Sequence, residues 1–112
     1  MSTLEPGRLR HRIGIDRLVI ARDDYGGTVE FWEPVAEAWA EVAPLSGREF
    51  IAAQATQAGV TTRIVLRYRA GLTPAMRVRH AGAHYNIRAV LPDPVSGREW
   101  VTLMCETGVN DG

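Results

Sequence analysis

Apolar and polar residues alternate along much of this chain with a period of two, which is typical of β-strands. In the first half the alternation predicts strands over residues 13–20 and 35–43, separated by turn-forming residues at 23–27. A short extended piece precedes the second of these strands, and Pro34 is expected to cut it off. From residue 60 onward the pattern predicts only strands and short turns, ending with a strand over residues 100–105.

One segment has a helical pattern instead. Ser46 and Glu49 have the spacing of a capping box, in which the serine oxygen caps the helix and the glutamate reaches back. Residues 50–58 are mostly good helix formers, and Gly59 is a typical C-terminal stop. The sequence therefore predicts a mainly β fold, a small and partly closed antiparallel β-barrel or sandwich with one short α-helix.

The segment that begins this helix has a near copy later in the chain. PLSGREF at residues 44–50 is echoed by PVSGREW at residues 94–100. The sequences that follow the two copies differ, and two copies are fewer than a repeat architecture needs. We interpret the echo as the same turn chemistry used twice.

The length of 112 residues is that of one domain. We expect an N-terminal arm at residues 1–12, a single domain at 13–107 and a loose tail at 108–112. The single cysteine, Cys105, excludes an intrachain disulfide and gives no sign of an oxidising compartment. No apolar run is long enough to span a bilayer, so we expect a cytoplasmic folding environment and no membrane partner.

The charges are sorted into blocks although the formal net charge is zero. Residues 23–49 hold seven acidic side chains and only Arg48 as a base, whereas residues 50–92 hold six arginines and no carboxylate. All thirteen basic residues of the chain are arginine. Opposite patches suit a protein that contacts copies of itself or two different neighbours, so the pattern favours an assembly component over an enzyme.

The arginines alternate along two predicted strands, with Arg63, Arg67 and Arg69 in one strand and Arg77 and Arg79 in the next. If these strands pair, about five guanidinium groups share one side of a sheet and repel one another. Carboxylates of the same chain or solvent could compensate them, as could carboxylates of a neighbouring copy or the phosphates of a nucleic acid. All three alternatives remain open from the sequence.

A stand-alone nucleic-acid-binding barrel is therefore an alternative function. Such barrels stack bases on aromatic residues that lie beside the basic ones. Tyr68 alternates with the arginines and is expected to point away from them, which disfavours this alternative.

No group of residues supports catalysis or metal binding. His80 and His84 are separated by a glycine turn within an arginine-rich stretch, and nothing marks Cys105 as an activated thiol. The neighbouring carboxylates Asp23 and Asp24 lie in a turn, where solvated charge is the expected role. We predict no catalytic residues, no metal and no cofactor, and hence that the chain is not an enzyme.

Six short motifs follow one another along nearly the whole chain. They are GRLRHRI at 7–13, DYGG at 24–27, WAEV at 39–42, PLSGRE at 44–49, TRIVLRY at 62–68 and HYNIRAV at 84–90. This ordered series resembles the head–tail joining family of phages, which includes head-closure (stopper) and head–tail adaptor proteins. The all-arginine composition would suit a phage, a prophage or a gene transfer agent of a GC-rich bacterium.

The resemblance implies a structural protein of the virion neck, assembled in the cytoplasm of a bacterial host. It implies a ring, commonly twelvefold, that continues the DNA channel, retains packaged double-stranded DNA without sequence specificity and presents a docking surface. Its expected partners are further copies of itself, a portal or adaptor ring above and the tail terminator or tail below. The alternative to a neck role is a role in the tail, as a tail terminator or another small β-barrel of the tail tube. The resemblance also places Trp39 at a packing contact, and Tyr85 and Ile87 in the core.

A ring needs two different, complementary surfaces on each chain, because its subunits meet head to tail. We expect the two charge blocks to provide them. The subunit-interface candidates are Glu30, Glu33, Glu37, Trp39, Glu41, Arg63, Arg67, Arg69, Arg77 and Arg79. The adaptor-docking candidates are Arg8, Arg10, His11 and Arg12. The channel-loop candidates are Asp23, Asp24, Tyr25, Gly71, Leu72 and Thr73.

Overall fold

A computed structural model describes the secondary-structure elements of the protein over residues 6–56 and 59–108. In chain order they are a 3-10 helix at Pro6–Arg8, β1 at His11–Arg22, β2 at Thr28–Pro44, α1 at Gly47–Thr56, β3 at Thr62–Arg67, β4 at Arg77–His80, β5 at Ala83–Pro92 and β6 at Trp100–Thr107. The prediction of a mainly β protein with one short α-helix is confirmed.

The six antiparallel strands form one sheet that closes into a barrel in the order β1-β2-β3-β6-β5-β4. Closure depends on a short contact, in which Gly14, Ile15 and Asp16 of β1 pair with β4. The sequence predicted a small, partly closed antiparallel barrel or sandwich; this fold class is confirmed, and the structure adds that the closure is complete. Strand β4 has only four residues, so its alternation is too short to indicate that it pairs on both sides.

The core fills the inside of the barrel. Along the strands, apolar side chains at alternate positions point into it. Its fully buried members are Ile13, Ile15, Ala40, Ile64, Leu66, Val78, Ile87, Val101, Leu103 and Cys105. Tyr85 packs against this cluster and is only partly buried. Side chains at the alternate positions point outward, which is how the same strands carry most of the charges on the barrel surface.

Strands β1 and β2 extend well beyond the barrel. Strand β1 pairs with β4 only as far as Asp16, and β2 pairs with β3 only from Ala40 to Pro44. Residues 17–33 are therefore paired only within their own hairpin, and we call this segment the ribbon. The ribbon accounts for the elongated shape of the molecule, which measures 55 × 27 × 25 Å.

The predicted break at Pro34 was wrong, because β2 runs through it as one strand of 17 residues. The chain tolerates the proline at an irregularity in the pairing, where Ile15 faces Ala36 and Asp16 faces Pro34. Val35 is thus the extra residue of a β-bulge. Bulges are positions at which a strand accommodates a proline and still continues beyond it.

Helix α1 lies outside the barrel between β2 and β3. The predicted capping box is present, because the Glu49 N–H donates to Ser46 Oγ at 3.2 Å and the Ser46 N–H donates to Glu49 Oε1 at 3.0 Å. The bond from the Ser46 N–H, together with the nearby Arg63 guanidinium, lowers the pKa of Glu49. No helix in the part of the chain that the structure describes is long and apolar enough to cross a membrane.

The echo of the capping segment has a different structure. Residues 94–99 form a loop around the buried carboxylate of Asp93, which accepts hydrogen bonds from the N–H groups of Val95, Ser96 and Glu99 at 2.7–3.0 Å. The first copy starts helix α1 and the second forms the loop around Asp93, so the two segments do not repeat one fold.

Candidate assembly surfaces

A buried charge cluster lies where the ribbon leaves the barrel. Asp16 is 1% exposed, and its carboxylate accepts hydrogen bonds from Arg77 Nε at 3.0 Å and from Arg79 Nε at 2.8 Å. The Arg77 guanidinium also lies over the ring of Trp32, 4.4 Å from its centre. A Cβ atom at Gly14 would overlap the Arg79 guanidinium, so the glycine provides the space in which that group lies across β1. The cluster ties the base of the ribbon to β4.

This cluster separates the arginines that were predicted to act together. Strands β3 and β4 do not pair, because β6 and β5 lie between them on one side of the barrel and β2 and β1 on the other. Arg77 and Arg79 are bound by a carboxylate of their own chain, and Arg63 pairs with Glu49 at 2.5 Å. The predicted crowding of about five guanidinium groups on one face does not occur.

Most of the acidic interface candidates are also paired within the chain. Exposed ion pairs join Glu33 to Arg17 at 2.6 Å, Glu37 to Arg12 at 3.3 Å and Glu41 to Arg8 at 2.9 Å. Two of these pairs lie on β1 and β2, and the third joins β2 to the 3-10 helix. Their carboxylates are partly neutralised before any neighbour binds.

The adaptor-docking candidates lie against their own barrel. Arg8 binds both carboxylate oxygens of Glu41, and the Arg12 guanidinium lies 5.5 Å from the centre of the Trp39 ring. The His11 ring meets that of His80 edge to face at 4.8 Å, and Arg10 donates to the backbone oxygen of Gly7. His11 and Arg12 belong to β1, and residues 1–5 of the predicted arm lie outside the described residues.

Three charged interface candidates have no ion pair among the described residues, namely Glu30, Arg67 and Arg69. Glu30 lies on the ribbon, and the two arginines lie at and just beyond the end of β3. Tyr68 stands between the arginines and is exposed. Strand β3 ends at Arg67, but the Tyr68 N–H still donates to the Glu99 carbonyl oxygen, so the alternation of Tyr68 with the arginines stays a prediction.

The two predicted channel loops differ in how far their side chains are exposed to solvent. The tip of the ribbon is shaped by Asp23, whose carboxylate accepts from the N–H groups of Tyr25 and Gly27, while Tyr25 itself is 96% exposed. Asp24 is exposed beside it. In the other loop, Gly71 has a positive φ of 91° and Thr73 is exposed, but Leu72 packs against the barrel core.

Burial keeps His80 and Cys105 in their uncharged forms. Burial, and then the nearby His11, lower the pKa of His80, so the ring stays neutral near pH 7. Burial raises the pKa of the Cys105 thiol to about 12, which keeps it protonated. Within residues 6–56 and 59–108, no cluster of three or more His, Cys, Asp or Glu side chains could hold a metal ion.

Sequence reasoning missed the Asp16 cluster. A signal was present, since Asp16 is a lone carboxylate in a strand of alternating isoleucines. Its partners lie 61 and 63 residues away in a strand of four residues, and no local pattern links them.

Comparisons with known proteins agree over nearly the whole chain. The family model of phage head completion proteins matches residues 4–108. The chain is 32% identical over 109 residues to head completion protein gp7 of Enterobacteria phage HK97, which covers 94% of this chain and 97% of that protein.

Two solved structures share the fold. The solution structure of protein SF1141 from Shigella flexneri 2a has a TM-score of 0.79 at 33% identity, covering 96% of this chain and 100% of the other. A chain from the virion of a native gene transfer agent particle has a TM-score of 0.60 at 22% identity, covering 91% and 97%, respectively. The second likeness shows the fold alone.

Proposed function

This chain belongs to the family of phage head completion proteins, and we propose that it completes the head as a ring at the neck, between the portal or adaptor and the tail. The family confirms the resemblance found in the sequence. It is a family of structural virion proteins, so the prediction that the chain is not an enzyme is confirmed as well. The observation that carries the proposal is the family match over residues 4–108, which includes every strand of the barrel.

The distribution of charge supports a ring. Glu30 on the ribbon and Arg67 and Arg69 at the end of β3 lie on strands that do not pair with each other at these positions. Two different surfaces on one chain allow head-to-tail contacts, and such contacts close into a ring when the rotation between subunits permits. We propose a ring of twelve copies that follows the symmetry of the portal, with the adaptor above and the tail below.

The same ring would continue the DNA channel. Contact with packaged double-stranded DNA needs only positive charge facing phosphate, and it carries no sequence information. The exposed tip of the ribbon around Tyr25 and the loop at residues 71–74 are the proposed channel-facing segments. We also propose that the adaptor docks on the arm at residues 1–12.

The test is to delete the gene in cells that produce the particle and to image the particles by electron microscopy. The proposal expects heads without tails, either filled with DNA or leaking it, and restoration by the wild-type gene. Normally tailed, DNA-filled particles would refute it. Heads that keep their DNA while the free tails are malformed would favour the tail-terminator alternative instead.

A further inference from the structure

The ribbon exposes more apolar surface than an isolated hairpin is expected to carry. Ile20 is 61% exposed and Phe31 48%, while Leu18 and Val29 are also more than a third exposed. An isolated two-stranded hairpin is marginally stable in water, because it has no third element on which to bury an apolar face. This concentration of exposed side chains on a projecting element marks a contact surface.

The strand register assigns these side chains to two faces. Leu18 lies opposite Trp32 and Ile20 lies opposite Glu30, so these four share one face, which we call the Glu30 face. The other face carries Val19 opposite Phe31, and its charges, Arg17 and Glu33, are paired with each other. Only the Glu30 face combines an exposed apolar residue with a carboxylate that has no ion pair among the described residues.

The matching surface lies on the barrel. Arg67, Tyr68 and Arg69 are three successive exposed residues, and we call them the Arg67–Arg69 surface. Glu99 adjoins it, since its carbonyl oxygen accepts from the Tyr68 N–H at 3.0 Å. Its carboxylate, however, forms no ion pair with either arginine in the described part of the chain. The surface therefore offers two guanidinium groups that form no ion pair among the described residues, next to an exposed tyrosine.

We propose that the Glu30 face of the ribbon docks on the Arg67–Arg69 surface of the next copy of this chain. The contact rests on the ring of the proposed function and specifies how its subunits meet. Glu30 would pair with the two arginines, and Ile20 beside it would lie against the aliphatic parts of their side chains. The same contact repeats from copy to copy, because each chain has one ribbon and one receiving surface.

The dimensions and the charge both favour a second copy as the occupant. The six residues from Arg17 to Arg22 extend the ribbon by about 20 Å at the usual rise per residue, enough to cross most of a neighbouring barrel. The ribbon, residues 17–33, carries four carboxylates and two guanidinium groups, so its net charge is opposite to that of the Arg67–Arg69 surface.

The test uses charge reversal in cells that carry a deletion of the gene and receive variants of the full-length chain. We expect Glu30→Arg alone, and Arg67→Glu with Arg69→Glu together, to reduce tailed particles about a hundredfold, because like charges then meet at the contact. Supplying both variants in equal amounts should restore tailed particles, since the reversed ribbon of one fits the reversed surface of the other.

The controls separate this contact from general effects of charge. Glu33→Arg makes the same change on the opposite face of the ribbon, and Arg48→Glu reverses an exposed arginine on α1, which precedes the other end of β3; both should leave tail joining intact. Each variant is first purified, and its thermal unfolding is compared with that of the wild type. The proposal is overturned if Glu33→Arg causes an equal loss of tailed particles. It is also overturned if the two reversed variants, Glu30→Arg and Arg67→Glu/Arg69→Glu, are folded but do not restore tailed particles when supplied together.

The outcomes also distinguish this contact from the proposed function. If the gene deletion abolishes tail joining but the folded Glu30→Arg variant supports it fully, the contact is refuted and the neck role stands. If the deletion itself leaves tailed particles, the neck role is refuted.

Discussion

The buried carboxylate of Asp16 makes the strongest prediction about stability. The change Asp16→Ala removes the only carboxylate that the described structure places against Arg77 and Arg79. The Arg77 side chain is only 9% exposed and cannot reach water without opening the base of the ribbon. Arg79 is 38% exposed and can turn its guanidinium outward, so it adds less.

The size of the effect follows from this difference in burial. Removing one partner of a buried ion pair costs about 3–5 kcal/mol, because the other charge stays desolvated without compensation. Small domains have about 5–15 kcal/mol in total, so the variant would lose about a fifth of its stability or more. At about 4 °C per kcal/mol for a chain of this size, the midpoint of thermal unfolding should fall by roughly 12–20 °C.

The assay is thermal and urea unfolding followed by circular dichroism, with Glu33→Ala as the matched control. That control breaks the exposed pair with Arg17 on the same hairpin and should cost under about 1 kcal/mol. Adding Arg77→Met to Asp16→Ala should recover part of the loss, because an apolar side chain replaces the unpaired buried charge. The reasoning fails if Asp16→Ala costs no more than Glu33→Ala, or if Arg77→Met makes the double variant less stable still.

Two further predictions concern other buried groups. Burial alone would raise the pKa of Asp93, but hydrogen bonds from the N–H groups of Glu99, Ser96, Gly97 and Val95 outweigh it and hold the pKa below its usual range. As the pH falls, the unfolded chain therefore takes up a proton at Asp93 before the folded chain does. Asp93→Asn should be less stable than the wild type at pH 7, and this difference in stability should shrink below about pH 4. Urea midpoints from pH 7 to pH 2 measure the difference, with exposed Asp24→Asn as control, and a difference that stays constant would contradict the prediction. The Cys105 thiol, fully buried and with its pKa raised to about 12, should react with a thiol reagent only after urea unfolding, and prompt labelling of the native protein would contradict its burial.

Local chemistry made much of the fold predictable. The alternation of apolar residues located the strands and most of the core, because inward and outward positions differ in polarity at every second residue. The capping box at Ser46 and Glu49 needs only four residues, and it formed as predicted. Structural features that depend on a few neighbouring residues can therefore be predicted from the sequence.

Features that depend on distant strands were not predictable from these patterns. Closure of the barrel rests on three residue pairs between β1 and β4. The continuation of β2 through Pro34 depends on a bulge that the partner strand allows opposite Asp16. In both cases the deciding contact is made by residues far away in the sequence, and no periodicity within one strand reports it.

The assignment of charges shows the same limit. Sorted blocks of acidic and basic residues predicted opposite surfaces, but they could not say which charges the chain neutralises itself. The pairs that remove most of the candidates join residues 14–63 positions apart. Of the nine charged interface candidates, the structure leaves Glu30, Arg67 and Arg69 without an ion pair among the described residues.

The paired and unpaired charges have different roles in how the ribbon is presented. The exposed pairs along β1 and β2 contribute little stability, since solvent screens them, but they keep their carboxylates from competing for a neighbour's arginines. The buried Asp16 cluster, with Arg77 held against Trp32 of the ribbon, fixes the direction in which the ribbon leaves the barrel. A ribbon held in this way loses little conformational entropy when it docks, and preorganisation of that kind strengthens binding without any additional contact. Loosening the cluster should therefore weaken assembly even though Asp16 lies outside the proposed contact.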